Sequence, residues 1–243
     1  IERLLAEIRD LEAFATRDRQ ALQGRFRLGV IPTIAPYFLP AILPVLKERF
    51  PGLSVELRES VTQTLVEETV GGQLDAMIAA LPLDHSALNV ETLFEDRFLL
   101  AVPSSDPDFA SPPVAPESPA LEKLMLLEEG HCLRDQALAI CGSVRPVAMA
   151  SFGATSLTTL LQMVAHGQGI TLIPEMAMAS APQSGISIVP FAKPVPSRTI
   201  GMAWRRNSSR QAICRALAEL LTEFGPGSGL RETDGEKQPH AAE

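Results

Sequence analysis

Two of the three cysteines in this 243-residue chain, Cys132 and Cys141, stand nine positions apart in the segment EEGHCLRDQALAICG, residues 128–142. Cys132 follows Gly130 and His131, where the pattern passes from a strand to a helix. A helix N-terminus favours an anion and lowers a thiol pKa, and His131 and Arg134 add positive charge nearby. A thiolate so placed is a nucleophile toward a weak O–O bond. The competing reading is the ordinary one for a cysteine, a small buried hydrophobe without chemistry. The polar neighbours of Cys132 weaken that reading without removing it.

The C-x8-C spacing fits no zinc motif, and no second CxxC or nearby His pair completes four ligands. If LRDQALAI is helical, nine residues rise about 13 Å. A disulfide needs Cα atoms roughly 4.4–6.8 Å apart, so the two thiols can join only if the helix unwinds or bends. Such a pair would turn a chemical event into a conformational one. On the residues alone, a redox pair and two core thiols both stay open.

The elements that must position these residues follow from composition and periodicity. The chain is long enough for one large domain or two small ones, and 46% hydrophobic residues suit a globular core. No run of about 18 apolar residues marks a transmembrane helix. The opening IERLLAEIRDLEAF is charged and periodic, unlike a signal peptide, and its lack of Met leads us to expect a fragment of a longer protein. A sparse, odd cysteine count argues against a secreted disulfide framework and for the reducing cytoplasm. The net charge of −8 repels phosphates, so this stretch alone is not expected to grip nucleic acid.

Ile1, Leu4, Ile8, Leu11 and Ala15 form a coiled-coil-like seam, read as a helix that links to another domain or pairs with another chain. From Phe26 strands and helices alternate. FRLGVIP, LSVELRES and LDAMIAAL read as strands, separated by helices in APYFLPAILPVLKERF and TQTLVEETVGGQ. A second run has strands in RFLLAVP, around MLLEE, in VAMASF and in ITLIP, with helices through LRDQALAI and SLTTLLQMVAHG. The Pro- and Ser-rich stretch from Ser104 to Ala120 reads as a surface loop. RTIGMAWRR is a strand, SRQAICRALAELLTEF an amphipathic helix, and the segment from Gly225 onward a disordered tail.

Two α/β units with a cleft between them make the architecture of periplasmic-binding-protein-like domains, here two Rossmann-like subdomains. Open α/β sheets bind ligands at the carboxyl ends of their strands, so the loops opening with Thr33 and Thr62 face the cleft. A threonine there is usually a helix N-cap, which does not prevent its hydroxyl from also binding a ligand.

The string GHCLRDQALAIC closely resembles the redox segment of the peroxide-sensing members of the LysR-type transcription regulators. LGVIPTIAPYFLP, FPGLSVELRES, ATSLTTLLQMVAHGQGITLIP and KPVPSRTIG extend the resemblance over about residues 22–224. It implies a linker helix over 1–22 and a regulatory subdomain over 23–97 plus 197–224. A second subdomain over 98–196 carries the cysteines, and 225–243 forms the tail. A winged helix-turn-helix domain absent from this chain would precede it. Cys132 would be oxidised by hydrogen peroxide to a sulfenic acid, and Cys141 would resolve it to a disulfide. Thr33 and Thr62 match positions that hydrogen-bond the peroxide, His131 and Asp135 flank the thiol, and Arg198 supports the pocket. The chemistry asks for such groups, since one peroxide oxygen must be presented while the leaving hydroxide is stabilised or protonated.

The resemblance also implies no cofactor and no turnover as an enzyme. It implies a dimer, a tetramer in the full-length protein, and promoter DNA held through the N-terminal domain. RNA polymerase and a glutaredoxin or thioredoxin reductant are the further partners. Three other readings compete: a LysR-type domain binding a small metabolite with bystander cysteines, a thiol peroxidase or Cys–His hydrolase, and a solute-binding protein, which would need an export signal. Cys214, in the last helix, reads as a packing residue. His85, His166 and His240 have no assigned role, and Gly167 with Gly169 reads as a helix stop.

Overall fold

The computed structural model describes residues 23–106, 109, 112–116, 118–142 and 154–226. The expected linker helix, the strand in VAMASF and nearly all of the tail lie outside the described residues. The chain forms β1 (Gly24–Val30), α1 (Ala35–Arg49), β2 (Leu53–Glu59), α2 (Thr62–Val70), β3 (Ala76–Ala80) and β4 (Leu88–Pro103). There follow α3 (Cys132–Cys141), α4 (Leu157–Ala165), β5 (Thr171–Pro174), β6 (Ile186–Pro190), β7 (Ser197–Arg205) and α5 (Gln211–Thr222). Short 3-10 turns occupy Pro119–Lys123 and Glu175–Ser180.

The strands run in the order β2-β1-β3-β7-β4-β5, with β6 also on β4. β1 pairs in parallel with β2 and β3, as helical crossovers require. β7 returns antiparallel between β3 and β4. β3 is buried along its whole length, and its residues Ala76, Ala79 and Ala80 let neighbours approach closely. Opposite it, a side chain on Gly201 of β7 would collide with Leu81 at under 3 Å. Phe38, Leu39, Ile42 and Leu46 give α1 its core stripe. Ile213, Cys214, Leu217, Ala218 and Leu221 do the same for α5.

β4 joins the halves of the molecule. Residues 88–97 of its sixteen pair with β7, and residues 98–103 pair with β5 and β6. Two apolar cores lie on either side of that changeover. One gathers β1, α1, β3, β7 and α5, the other α3, α4, β5 and the end of β4. This is the two-lobed α/β architecture expected from the sequence.

Three local expectations need correction. The strand read over RFLLAVP begins nine residues earlier, because the NVETLFEDR stretch faces solvent on one side and so lacks a continuous apolar run. β6, in ISIVP, was not anticipated; it is short and only its Val189 is buried. MLLEE is not a strand: Leu124 and Leu127 make single bridges to Ile170 and Ala154, and Leu124 to Leu127 are held by burial.

Candidate functional site

Cys132 is the first residue of α3, and His131 is its N-cap in extended backbone. The His131 side chain makes no capping hydrogen bond and is only 6% exposed. Burial pushes its pKa down, with Glu128 opposing, so the ring is neutral at neutral pH. Arg134 turns back, its Nη1 donating to the Leu127 carbonyl at 3.0 Å. His131 therefore brings no positive charge to the thiol, and the Arg134 guanidinium is turned to the Leu127 carbonyl.

Positive charge comes from Arg198, across the seam on β7. Burial pushes the Cys132 thiol up from its ordinary pKa; Arg198, the Thr62 hydroxyl and the Leu133 amide pull it back, and Asp135 opposes them. The lowered pKa expected at a helix N-terminus is thus overturned by desolvation. Thr62 Oγ1 is buried and has no hydrogen-bond partner of regular geometry. It lies beside the Cys132 sulfur, where the hydroxyl favours the ionised thiol. Cys132 itself packs partly buried against the first core, although its helix belongs to the second.

Arg198 is the hub. Its Nη1 donates to Thr33 Oγ1 at 2.9 Å and its Nη2 to the Thr33 carbonyl at 3.0 Å. Its Nε donates to Asp96 Oδ2 at 3.0 Å, and the Nη2–Asp96 contact is 2.9 Å with both side chains fully buried. The other Asp96 oxygen accepts the Met176 amide at 3.2 Å. The guanidinium also lies 5.8 Å from the Phe98 ring centre and 3.7 Å from Met176 Sδ. Neither threonine is an N-cap as anticipated. Ile34 and Val61 hold those positions, leaving Thr33 to Arg198 and Thr62, the first residue of α2, to the thiol.

Thr33, Thr62, Cys132 and Arg198 therefore meet at one seam, with His131 adjoining. Asp135 lies on the exposed face of α3 and acts on the thiol only through its charge. Cys141 ends the same helix, 1% exposed in the second core. Both thiols are free, and the intact helix sets them about 13 Å apart along its axis. Gly142 follows with φ 57°, a conformation that favours glycine. Among the described residues no group of three His, Cys, Asp or Glu could hold a metal, and no helix is long and apolar enough to cross a membrane.

The sequence reading missed Asp96 and Tyr37. Asp96 has a usable signal: it shares the inward phase of β4 with Phe98 and Leu100, where a charge must find a partner. Tyr37, from α1, packs against the second core. Burial raises its pKa, while Thr158 and Arg198 lower it. Its partners come from distant segments and leave no local trace.

A polar seam thus lies where the strands of this two-lobed α/β domain change over, the place where such folds bind ligands. Residues 19–226 match the LysR substrate binding domain. The chain is 38% identical over 219 residues to the DNA-binding transcriptional dual regulator OxyR of Escherichia coli K12, covering 90% of this chain and 72% of that protein. It superimposes on the reduced OxyR regulatory domain of Pseudomonas aeruginosa with a TM-score of 0.76 at 32% identity, covering 83% and 98% of the two chains. A hydrogen-peroxide-bound cysteine-to-serine mutant of Corynebacterium glutamicum OxyR gives a TM-score of 0.81 at 31% identity, covering 90% and 70%. The chain belongs to the LysR substrate-binding-domain family and, within it, to the OxyR group.

Proposed function

We propose that this chain senses hydrogen peroxide through Cys132 and passes the signal on by forming a disulfide with Cys141. The observation that carries the reading is the convergence of Cys132, the unsatisfied Thr62 hydroxyl and the Thr33–Arg198 pair at one seam. Relatives named hydrogen peroxide-inducible genes activators support it. Thr62 and Thr33 orient the peroxide. The Cys132 thiolate, favoured by Arg198 and Thr62, attacks one oxygen, and the other leaves as hydroxide that takes up a proton to become water. The sulfenic acid then condenses with the Cys141 thiol, releasing a second water. His131 supports the helix start as a neutral ring, and Asp135 tunes the thiol through its charge.

The condensation needs α3 to give way, because a disulfide cannot span nine helical residues. Cys141 must leave the second core, and that repacking is the switch. The two cores support dividing the module into 23–97 with 197–224, and 98–196. We assign 1–22 to a linker helix and 225–243 to the tail. In the full-length regulator the switch re-registers a dimer or tetramer on promoter DNA held by a separate N-terminal domain, so that RNA polymerase transcribes antioxidant genes. A glutaredoxin or thioredoxin system resets the disulfide in the cytoplasm. One oxidation per signal suffices, so this is a sensor without turnover.

Hydrogen exchange after stoichiometric peroxide tests it. Amides over 133–141 lose protection in the native chain and keep it in Cys132→Ser. Equal protection before and after peroxide contradicts the reading, and a response retained in Cys132→Ser points to the metabolite-binding alternative. Steady peroxide consumption with a thiol reductant points to the thiol peroxidase.

A further inference from the structure

A second oxidisable sulfur sits at the seam. Met176 Sδ is 3.7 Å from Arg198 Nη2, the same nitrogen that lies 2.9 Å from Asp96 Oδ2. Its backbone is fixed by the Met176 N–H donating to Asp96 Oδ1, and its side chain packs partly buried against the first core. Two residues on in the same turn, Met178 is 40% exposed and faces solvent. The two thioethers thus differ in surroundings while sharing one short element.

We propose that Met176 is a slow second oxidation site for hydrogen peroxide, and that its sulfoxide damps the Cys132 response. The inference rests on the peroxide-sensing reading above. In the step, the thioether sulfur attacks one peroxide oxygen, an S–O bond forms and the O–O bond breaks. The sulfur loses two electrons, the peroxide is reduced, and the proton of the transferred oxygen joins the leaving hydroxide as water. An Arg198 N–H beside the sulfur can stabilise that leaving oxygen. A thioether needs no deprotonation, so it reacts at any pH, whereas the buried Cys132 thiol must first ionise.

The consequence follows from hydrogen bonding. A thioether is a weak acceptor; a sulfoxide oxygen is a strong, polar one. Formed within reach of Nη2, it competes with Thr33 and Asp96 for the guanidinium that favours the Cys132 thiolate. Drawing Arg198 toward Met176 weakens the positive charge that favours the Cys132 thiolate. Excess peroxide would then lower the sensitivity of the sensor, and methionine sulfoxide reduction would restore it.

The test uses the whole chain. Reduced protein is held in excess hydrogen peroxide, treated with dithiothreitol to reopen disulfides but not sulfoxides, and challenged with peroxide again. We expect peptide mass mapping to find sulfoxide at Met176 ahead of the more exposed Met178. Cys132 oxidation in the second round should be about tenfold slower, the effect of losing about one pKa unit of charge stabilisation at the thiol. Methionine sulfoxide reductase should reverse the slowing. In Met176→Leu, a volume-conserving change, first- and second-round rates should be equal, while Met178→Leu should slow as the native chain does. Oxidation of Met178 before Met176, or slowing that persists in Met176→Leu, would overturn the proposal. A first round in which Cys132 does not react at all would instead sink the peroxide-sensing reading, and the order of methionine oxidation would still be read.

Discussion

Asp96 and Arg198 face each other across β4 and β7, their side chains 2.9 Å apart and both wholly excluded from solvent. They sit where β4 passes from one lobe to the other, with Asp96 two residues before Phe98, where the pairing moves from β7 to β5. The same guanidinium carries Thr33 and lies near the Cys132 thiol. The carboxylate therefore holds in place a guanidinium whose charge favours ionisation of the Cys132 thiol.

Removing that carboxylate leaves Arg198 buried without its counter-ion, which costs more than the pair contributes when intact. Asp96→Ala should lose roughly 3–5 kcal/mol of stability in urea unfolding. Asp96→Asn keeps the shape and one acceptor and should lose less. Equal stability of Asp96→Ala and the native chain would show that the pair does not anchor the changeover.

Thr62 should matter to rate and little to fold. Its hydroxyl has no regular hydrogen-bond partner, so Thr62→Val leaves none unpaired. We expect Cys132 oxidation, followed by stopped-flow loss of thiol, to slow by about 10²-fold, the lower range for losing a positioned proton donor or acceptor. Thr62→Ser should recover most of the rate. A valine variant as fast as the native chain would take Thr62 out of the peroxide site.

Cys214 contributes to the alkaline pH dependence of stability. Burial, together with Asp75, pushes its thiol up to about 12. An unfolded thiol ionises near its ordinary value of about 8.5. Between those values the folded chain keeps a proton that the unfolded chain has lost. Stability is thus full below the unfolded pKa and falls as pH rises, by up to about 1.4 kcal/mol per pH unit. Urea unfolding at rising alkaline pH should show this fall, and Cys214→Val should make it shallower, leaving the share of Tyr37, Cys132 and Cys141. An unchanged slope in that variant would assign the effect to other groups.

Much of this architecture is legible in periodicity. The alternation of FRLGVIP, LSVELRES and LDAMIAAL with helical stretches is strong because both faces of a central strand, as in β3, must be apolar. The early half of β4 was hidden because solvent on one face dilutes the apolar signal. At the site, Cys132 and Thr62 could be placed at helix starts from local pattern alone. The electrostatics could not. His131 is a neighbour in sequence yet a neutral ring, and Arg134 turns to the Leu127 carbonyl, while Arg198, sixty-six residues away in the chain, acts on the thiol. Desolvation, set by packing of two distant cores, decides the sign of the Cys132 shift, and no local string encodes it.

The central claim is tested most directly by mapping thiols after one equivalent of hydrogen peroxide. The account predicts loss of Cys132 and Cys141 together as a single linked peptide, with Cys214 still free. Both thiols free after excess peroxide, or Cys132 linked to Cys214 instead, would contradict it.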